Sequence, residues 1–279
     1  MRRLVLLLLP LLLVGAAPPA RPRRIMTVEL CDDLMLLMLA PRERIASVTY
    51  LAHDAAEVLM PGVDRGIAVN QGSAEEIVRQ RPDLIIGSPF SAATARRLAA
   101  AVGARVVEMP IANDFPAIRR NLRTMGGLVG EPARAEALVR RMDAVLAQLD
   151  GTRPSRPIRV VAWGGAGAVP GRGTLTDAVI TAAGAVNVAA KYREGRYASF
   201  DLEELLAARP DAVLQGVGLY GGASLHDRSA RHPLIHRLFA GRQVDYPEAG
   251  YACGLPQSAL AAADLRRALL RLPPPRARW

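Results

Sequence analysis

Two stretches of this chain say nearly the same thing: AEEIVRQRPDLII, from Ala74 to Ile86, and LEELLAARPDAVL, from Leu202 to Leu214. Each opens with adjacent acids, continues as a short amphipathic run, reaches Arg-Pro-Asp and passes into apolar residues. Acids suit the first turn of a helix, where they face the positive end of its dipole. Proline ends the helix, and aspartate opens a turn. The apolar residues that follow read as a buried strand. Each copy is therefore a helix–turn–strand unit, and the repetition predicts two similar α/β lobes. Ser73, with Glu76 three residues on, predicts a reciprocal cap at the start of the first copy. Pro82-Asp83 and Pro210-Asp211 have structural roles in this reading.

Outward from the first copy, IMTVEL reads as a strand, DDLMLLMLA as a helix closed by Pro41, and RIASVTY as a second strand. PGVDRGIAVN reads as a loop with a short edge strand. After DLIIGS come a helix in AATARRLAAAVG and a strand in ARVVEMP. Strands alternating with helices imply an α/β lobe with a mostly parallel sheet. From Asn113 to about Leu149 the chain reads helical, with a break near Gly130-Glu131-Pro132. Leu138, Met142, Val145 and Leu149 recur there at helical spacing. The alternation then returns through IRVVAW, LTDAVITAAG, DAVLQG, HPLIHRLFAG, RQVDYP and SALAAADLRRALLRL. The expected division is 1–20 as a leader, 21–112 as an N-terminal lobe, 113–150 as a helical bridge and 151–279 as a C-terminal lobe.

The leader expectation rests on Met1-Arg2-Arg3, a short greasy run broken by Pro10, and small residues near Ala17 and Ala20. This is the form of an export signal, and the run is too short for a comfortable membrane span. The chain as a whole is long enough, and at 51% hydrophobic apolar enough, for one real core or two modest ones. The net charge is +10, much of it arginine spread along helical stretches. No zinc-finger spacing or aromatic-basic motif accompanies it, so no nucleic-acid partner is expected. The two cysteines, Cys31 and Cys253, leave three readings open: buried packing, free thiols in a pocket, or a disulfide that export would permit.

Taken together, IMTVELCDDLMLLMLAPRERIASVTY, AEEIVRQRPDLII, LTDAVITAAGAVNVAA, SFDLEELLAARPDAVL and HPLIHRLFAGRQVDYP resemble, in order and spacing, the periplasmic substrate-binding proteins of ABC importers for siderophore iron, haem or cobalamin. The resemblance implies two Rossmann-like lobes joined by a long backbone helix, and a monomer that delivers its ligand to a permease dimer. It implies a non-enzymatic role with no resident cofactor and no catalytic residues. It also implies that one glutamate on each lobe, Glu75 and Glu203, docks onto permease arginines, with Glu76 and Glu204 as weaker candidates.

Ligands of open α/β lobes bind beyond the carboxyl ends of the strands. That rule points to Cys31, Tyr50, His53 and Phe90 in the first lobe. In the second it points to Trp163, Tyr220, Tyr251 and Cys253. Aromatics form only 4% of the chain, yet five of them gather in these positions, as a flat or ring-bearing ligand would require. Arg172, Arg193 and Arg196 lie in nearby loops and would match carboxylates on a ligand. The histidines His226, His232 and His236 do not make a convincing metal site, and no metal ligands are assigned. The glycine-rich GGAGAVPGRG lacks the ending of a phosphate loop. The expected function is capture of a ferric siderophore, cobalamin or haem. The alternatives are a receptor for a free metal ion or an unrelated hydrophobic metabolite, and an exported metal-dependent hydrolase.

Overall fold

The computed structural model describes residues 21–163, 168–191, 197–199, 201–217 and 233–273. Two separate parallel sheets organise it. The first contains β1 (Ile25–Thr27), β2 (Ile45–Thr49), β3 (Val69–Asn70), β4 (Leu84–Gly87) and β5 (Arg105–Glu108), in the order β3-β2-β1-β4-β5. The second contains β6 (Arg159–Ala162), β8 (Val186–Asn187), β10 (Ala212–Val217) and β11 (Gln243–Pro247), in the order β11-β10-β6-β8. A small antiparallel pair, β7 (Ala168–Pro170) with β9 (Tyr197–Ser199), stands beside the second. The expectation of two α/β lobes is met.

Around the first sheet lie α1 (Leu30–Leu39), α2 (Ala52–Leu59), α3 (Ala74–Gln80) and α4 (Ala93–Val102). The second has α7 (Leu175–Ala182), α8 (Leu202–Ala208), α9 (Pro233–Leu238), α10 (Ala249–Ala252) and α11 (Gln257–Leu270). Sequence reading passed over α2, α10, β8 and the β7–β9 pair. It also carried the first strand through Leu30, whereas the strand ends at Thr27. In the structure Glu29 is extended and caps α1, its carboxylate accepting from the backbone N–H groups of Cys31 and Asp32.

The two copies of the repeated phrase fold alike. Ser73 and Glu76 form a capping box on α3, and Asp201 and Glu204 form one on α8. Arg81 and Arg209 then end the helices in the left-handed region, at φ 47° and 45°. The aspartate after each proline reaches sideways to the next strand. Asp83 accepts from the backbone N–H groups of Arg23 and Arg24, just ahead of β1. Asp211 accepts from the N–H of Arg159 at the start of β6. The Arg24 and Arg159 guanidinium groups return bonds to the helix ends, at the carbonyls of Gln80 and Ala208.

Between the sheets the chain forms α5 (Phe115–Val129) and α6 (Pro132–Gly151), separated at Gly130. The expected break falls where the sequence placed it, but its consequence is larger than a kink. The two helices fold back on one another as a hairpin, joined by Arg119–Asp143 and Arg123–Glu136 ion pairs. Gly126 allows the close approach, since a Cβ there would lie 2.5 Å from that of Ala135. The segment 113–150 is therefore not one continuous strut. Helix α5 packs on α1, while α6 meets α7 and α11 of the second half. Arg266, itself buried on α11, ties these together by donating to the carbonyls of Leu149 on α6, and of Ala182 and Ala183 at the end of α7. Its charge sits where helix C-termini favour a cation.

The main hydrophobic core does not stop at the boundary between sheets. One cluster runs from Leu34, Leu36 and Leu39 through Leu122, Met125 and Met142 to Val179, Leu265 and Leu269. At the junction Gly254 lies against Ala112, so closely that a Cβ would come within 2.6 Å of the alanine carbonyl oxygen. Shared packing of this kind resists relative motion of the halves. No helix among the described residues is long and apolar enough to cross a membrane.

Candidate functional site

A cavity of ≈ 470 Å³ opens where the C-terminal ends of β1 and β2 face the start of the last helical segment. Its first wall is contributed by Val28, Glu29, Cys31, Tyr50, Gln71 and Ser91, and its second by Ala252 and Cys253. β1, β2 and β4 are parallel and all end on this side, which is why residues following them line the cavity.

Cys31 and Cys253 are joined by a disulfide, with Cα atoms 5.1 Å apart, so the cavity is stapled where its two walls meet. Of the three readings open at the sequence level, the structure selects the bond. Cys253 is 1% exposed, whereas Cys31 is only partly buried. Tyr50 lines the cavity and is 60% exposed, which leaves its ring free for a ligand. Phe90, 84% exposed, precedes the cavity-lining Ser91 in the chain but does not itself line the cavity. His53 lies at the start of α2, exposed, its Nδ1 2.8 Å from an Asp64 carboxylate oxygen. That bond favours the charged form and raises the histidine pKa.

The other candidates are placed elsewhere. Arg172 is part of a different pocket, with Arg153, Asp177 and Lys191, and its guanidinium donates to the Ala190 carbonyl. It follows β7 in the antiparallel pair, a turn that sequence reading had treated as a loop of the cleft. Tyr251 belongs to α10 rather than to an open loop. It is 5% exposed, packs its ring 4.2 Å from that of Tyr246 and lines a separate cavity between α2 and α11. Trp163 is buried with Val161, Leu205, Ile235 and Phe239 in a core cluster of the second half, and its indole N–H has no acceptor among the described residues. Arg193, Arg196 and Tyr220 lie outside the described residues, as do His226 and His232.

Gln71 and Ser91 are cavity residues that the sequence reading did not select. Gln71 follows the two-residue edge strand β3, and the strand-end rule applied to that strand would have found it. Ser91 is held in a tight turn with Ser88, whose backbone N–H donates to the Ser91 hydroxyl.

The first turn of α1 brings three carboxyl groups together behind Cys31. Asp33 is fully buried and accepts from the backbone N–H and the hydroxyl of Thr49, locking α1 to β2. Burial pushes its pKa up to about 7 despite those bonds. Asp32 is pushed to about 8, first by burial and then by the charges of Glu29 and Asp33, and one of its oxygens has no partner among the described residues. Burial also raises the Glu29 pKa. Among the described residues, no group of three His, Cys, Asp or Glu side chains is arranged to hold a metal ion.

Glu75 and Glu203 occupy equivalent exposed positions in the first turns of α3 and α8. Their neighbours are committed to capping. Glu76 accepts from the N–H groups of Gln71 and Ser73, and Glu204 from that of Asp201. The first acid of each pair is thus left facing solvent.

No curated protein matches the chain by sequence. Solved structures do match in fold. A periplasmic binding protein from Veillonella parvula superposes with TM-score 0.74 at 16% identity, covering 90% of this chain and 92% of its own. The periplasmic haem-binding protein RhuT from Roseiflexus sp. RS-1, in apo form, gives 0.67 at 25% identity, covering 88% and 97%. The periplasmic vitamin B12-binding protein BtuF of Vibrio cholerae gives 0.63 at 15% identity, covering 89% and 97%. The family model for periplasmic binding proteins matches residues 44–229, which include both copies of the repeated phrase. With two parallel sheets, a cavity shared between their halves and this match over most of its length, the chain belongs to the periplasmic binding protein family.

Proposed function

We propose that this chain is an exported solute receptor that captures a bulky metal-chelate ligand, a ferric siderophore, haem or corrinoid, and delivers it to an ABC importer. The observation that carries the reading is the cavity between the two halves, with the exposed ring of Tyr50 at one wall. Aromatic faces suit a large ring-bearing ligand, and the carboxylate, amide and hydroxyl groups of Glu29, Gln71 and Ser91 supply polar contacts to fix its orientation. The haem and vitamin B12 receptors among the structural neighbours support the ligand class. Export by residues 1–20 places the chain in an oxidising compartment, in keeping with the disulfide. Glu75 and Glu203 dock the halves onto basic permease surfaces, giving orientation more than raw affinity.

Native mass spectrometry and visible absorbance of the protein purified from its own periplasm test the cargo. A co-purified coloured chelate in a one-to-one complex is expected. A colourless chain that also fails to take up haemin, cyanocobalamin or a ferric siderophore overturns the reading. Reversing Glu75 and Glu203 to arginine should leave the fold and ligand uptake intact while abolishing co-purification with the importer.

A further inference from the structure

We propose that the Cys31–Cys253 disulfide is a reducible latch in the floor of the cleft, fixing the spacing of its walls, and that a dithiol reductant opens it from the cleft side. The bond joins the first turn of α1 to the residue after α10, across 222 positions of sequence. Both sulfur-bearing residues line the cavity. Cys253 is almost wholly buried, so the sulfur open to attack is that of Cys31. The last helical segment is otherwise held by noncovalent packing: α10 rests on α2 and α7, Gly254 on Ala112, and the Gln257 amide donates to the Met38 sulfur. A covalent tie at that point restricts the separations available to the two walls.

The chemistry balances with a dithiol as the only co-reactant. Its thiolate attacks Cys31 Sγ, forming a mixed disulfide and releasing the Cys253 sulfur, which takes a proton. Its second thiol then displaces Cys31. The reductant leaves as a cyclic disulfide, and two electrons and two protons remain on the two cysteines. A ligand seated in the cavity covers this route. The consequence for cargo, weaker retention once the latch is open, rests on the cavity being the ligand site as proposed above; the latch itself does not.

The test uses the folded chain without ligand. Its two cysteines are the only ones, so alkylation and intact mass report this bond alone. Hydrogen exchange is compared before and after dithiothreitol. Reduction should speed exchange about tenfold in 28–33 and 249–254 while leaving β4 unchanged, since local opening spares the rest of the sheet. The double variant C31S/C253S should give the same pattern without reductant. If it does not fold, the wild-type chain reduced after folding still gives the answer. Equal exchange with and without the bond overturns the latch, and so does faster exchange everywhere, which marks a global staple instead. A flat result would leave the ligand reading standing. Failure of the oxidised chain to bind haemin or cyanocobalamin would count against that reading and leave the latch untouched.

Discussion

The two copies of the repeated phrase end in the same turn but are anchored differently. In the first, Asp83 takes two backbone N–H groups, and the exposed Arg24 side chain closes the clamp on Gln80. In the second, Asp211 takes one among the described residues, Arg159 closes the equivalent clamp on the Ala208 carbonyl, and a buried arginine adds a further tie. Arg242, 8% exposed, donates to the carbonyls of Asp211 and of Pro273 near the end of the last helix. The first copy is thus a self-contained surface clamp. The second is wired into the C-terminal segment, the same segment that carries Cys253 and the second wall of the cavity.

The largest effect should come from cutting that wire. Arg242→Met removes a buried charged donor from two partly buried carbonyls, and should cost about 2 kcal/mol of unfolding free energy. Arg24→Met, which cuts the surface clamp of the first copy, removes an exposed group and should cost no more than about 1 kcal/mol. Urea unfolding of both variants compares them directly. Equal losses would mean that the two anchors are equivalent after all.

A second asymmetry is electrostatic. The first half buries Asp32 and Asp33 at the head of α1, with pKa values raised to about 8 and about 7. Below pH 4 both are protonated whether the chain is folded or not. Between pH 4 and their folded values the unfolded chain has released these protons while the folded chain still holds them. Stability contributed by these groups therefore falls as pH rises through that window, with a slope of about one proton for each group, and levels off above pH 8. Asp32→Asn should remove its share of the slope, leaving the variant the more stable of the two at pH 8. Thermal unfolding from pH 4 to pH 8 would measure this, and a slope unaltered by the substitution would place the titration elsewhere.

These contrasts mark what the sequence made legible. The repeated phrase announced both lobes because every part of it acts locally: a cap, a proline stop and an apolar strand work over a few residues. The break at Gly130 was visible for the same reason. Its outcome was not, because a helix that bends and one that folds back share the same glycine and proline, and the choice is made by Gly126 meeting Ala135 and by ion pairs across the hairpin. The cavity wall at Cys31 and Tyr50 followed from strand ends. The wall at Ala252 and Cys253 depends on where α10 packs, a contact between distant segments with no local signature. Arg172 and Tyr251 misled for that reason: each is near a strand in sequence but turned toward a different neighbour in space.

The smallest effect tests the symmetry of the copies rather than their difference. Arg81 and Arg209 both hold the left-handed conformation, which costs an L-residue about 1–2 kcal/mol, and both side chains are exposed. Glycine removes that strain but loses more backbone freedom on folding, about 0.5–1 kcal/mol. The two terms nearly cancel, so Arg81→Gly and Arg209→Gly should each stabilise the chain by about 0.5 kcal/mol. Because the backbone angles agree within 2°, the two gains should match, and the double variant should show their sum. Chemical denaturation of the three variants resolves this. A gain at Arg81 alone would show that the Arg242 anchor already fixes the second turn so firmly that its backbone strain no longer governs stability there.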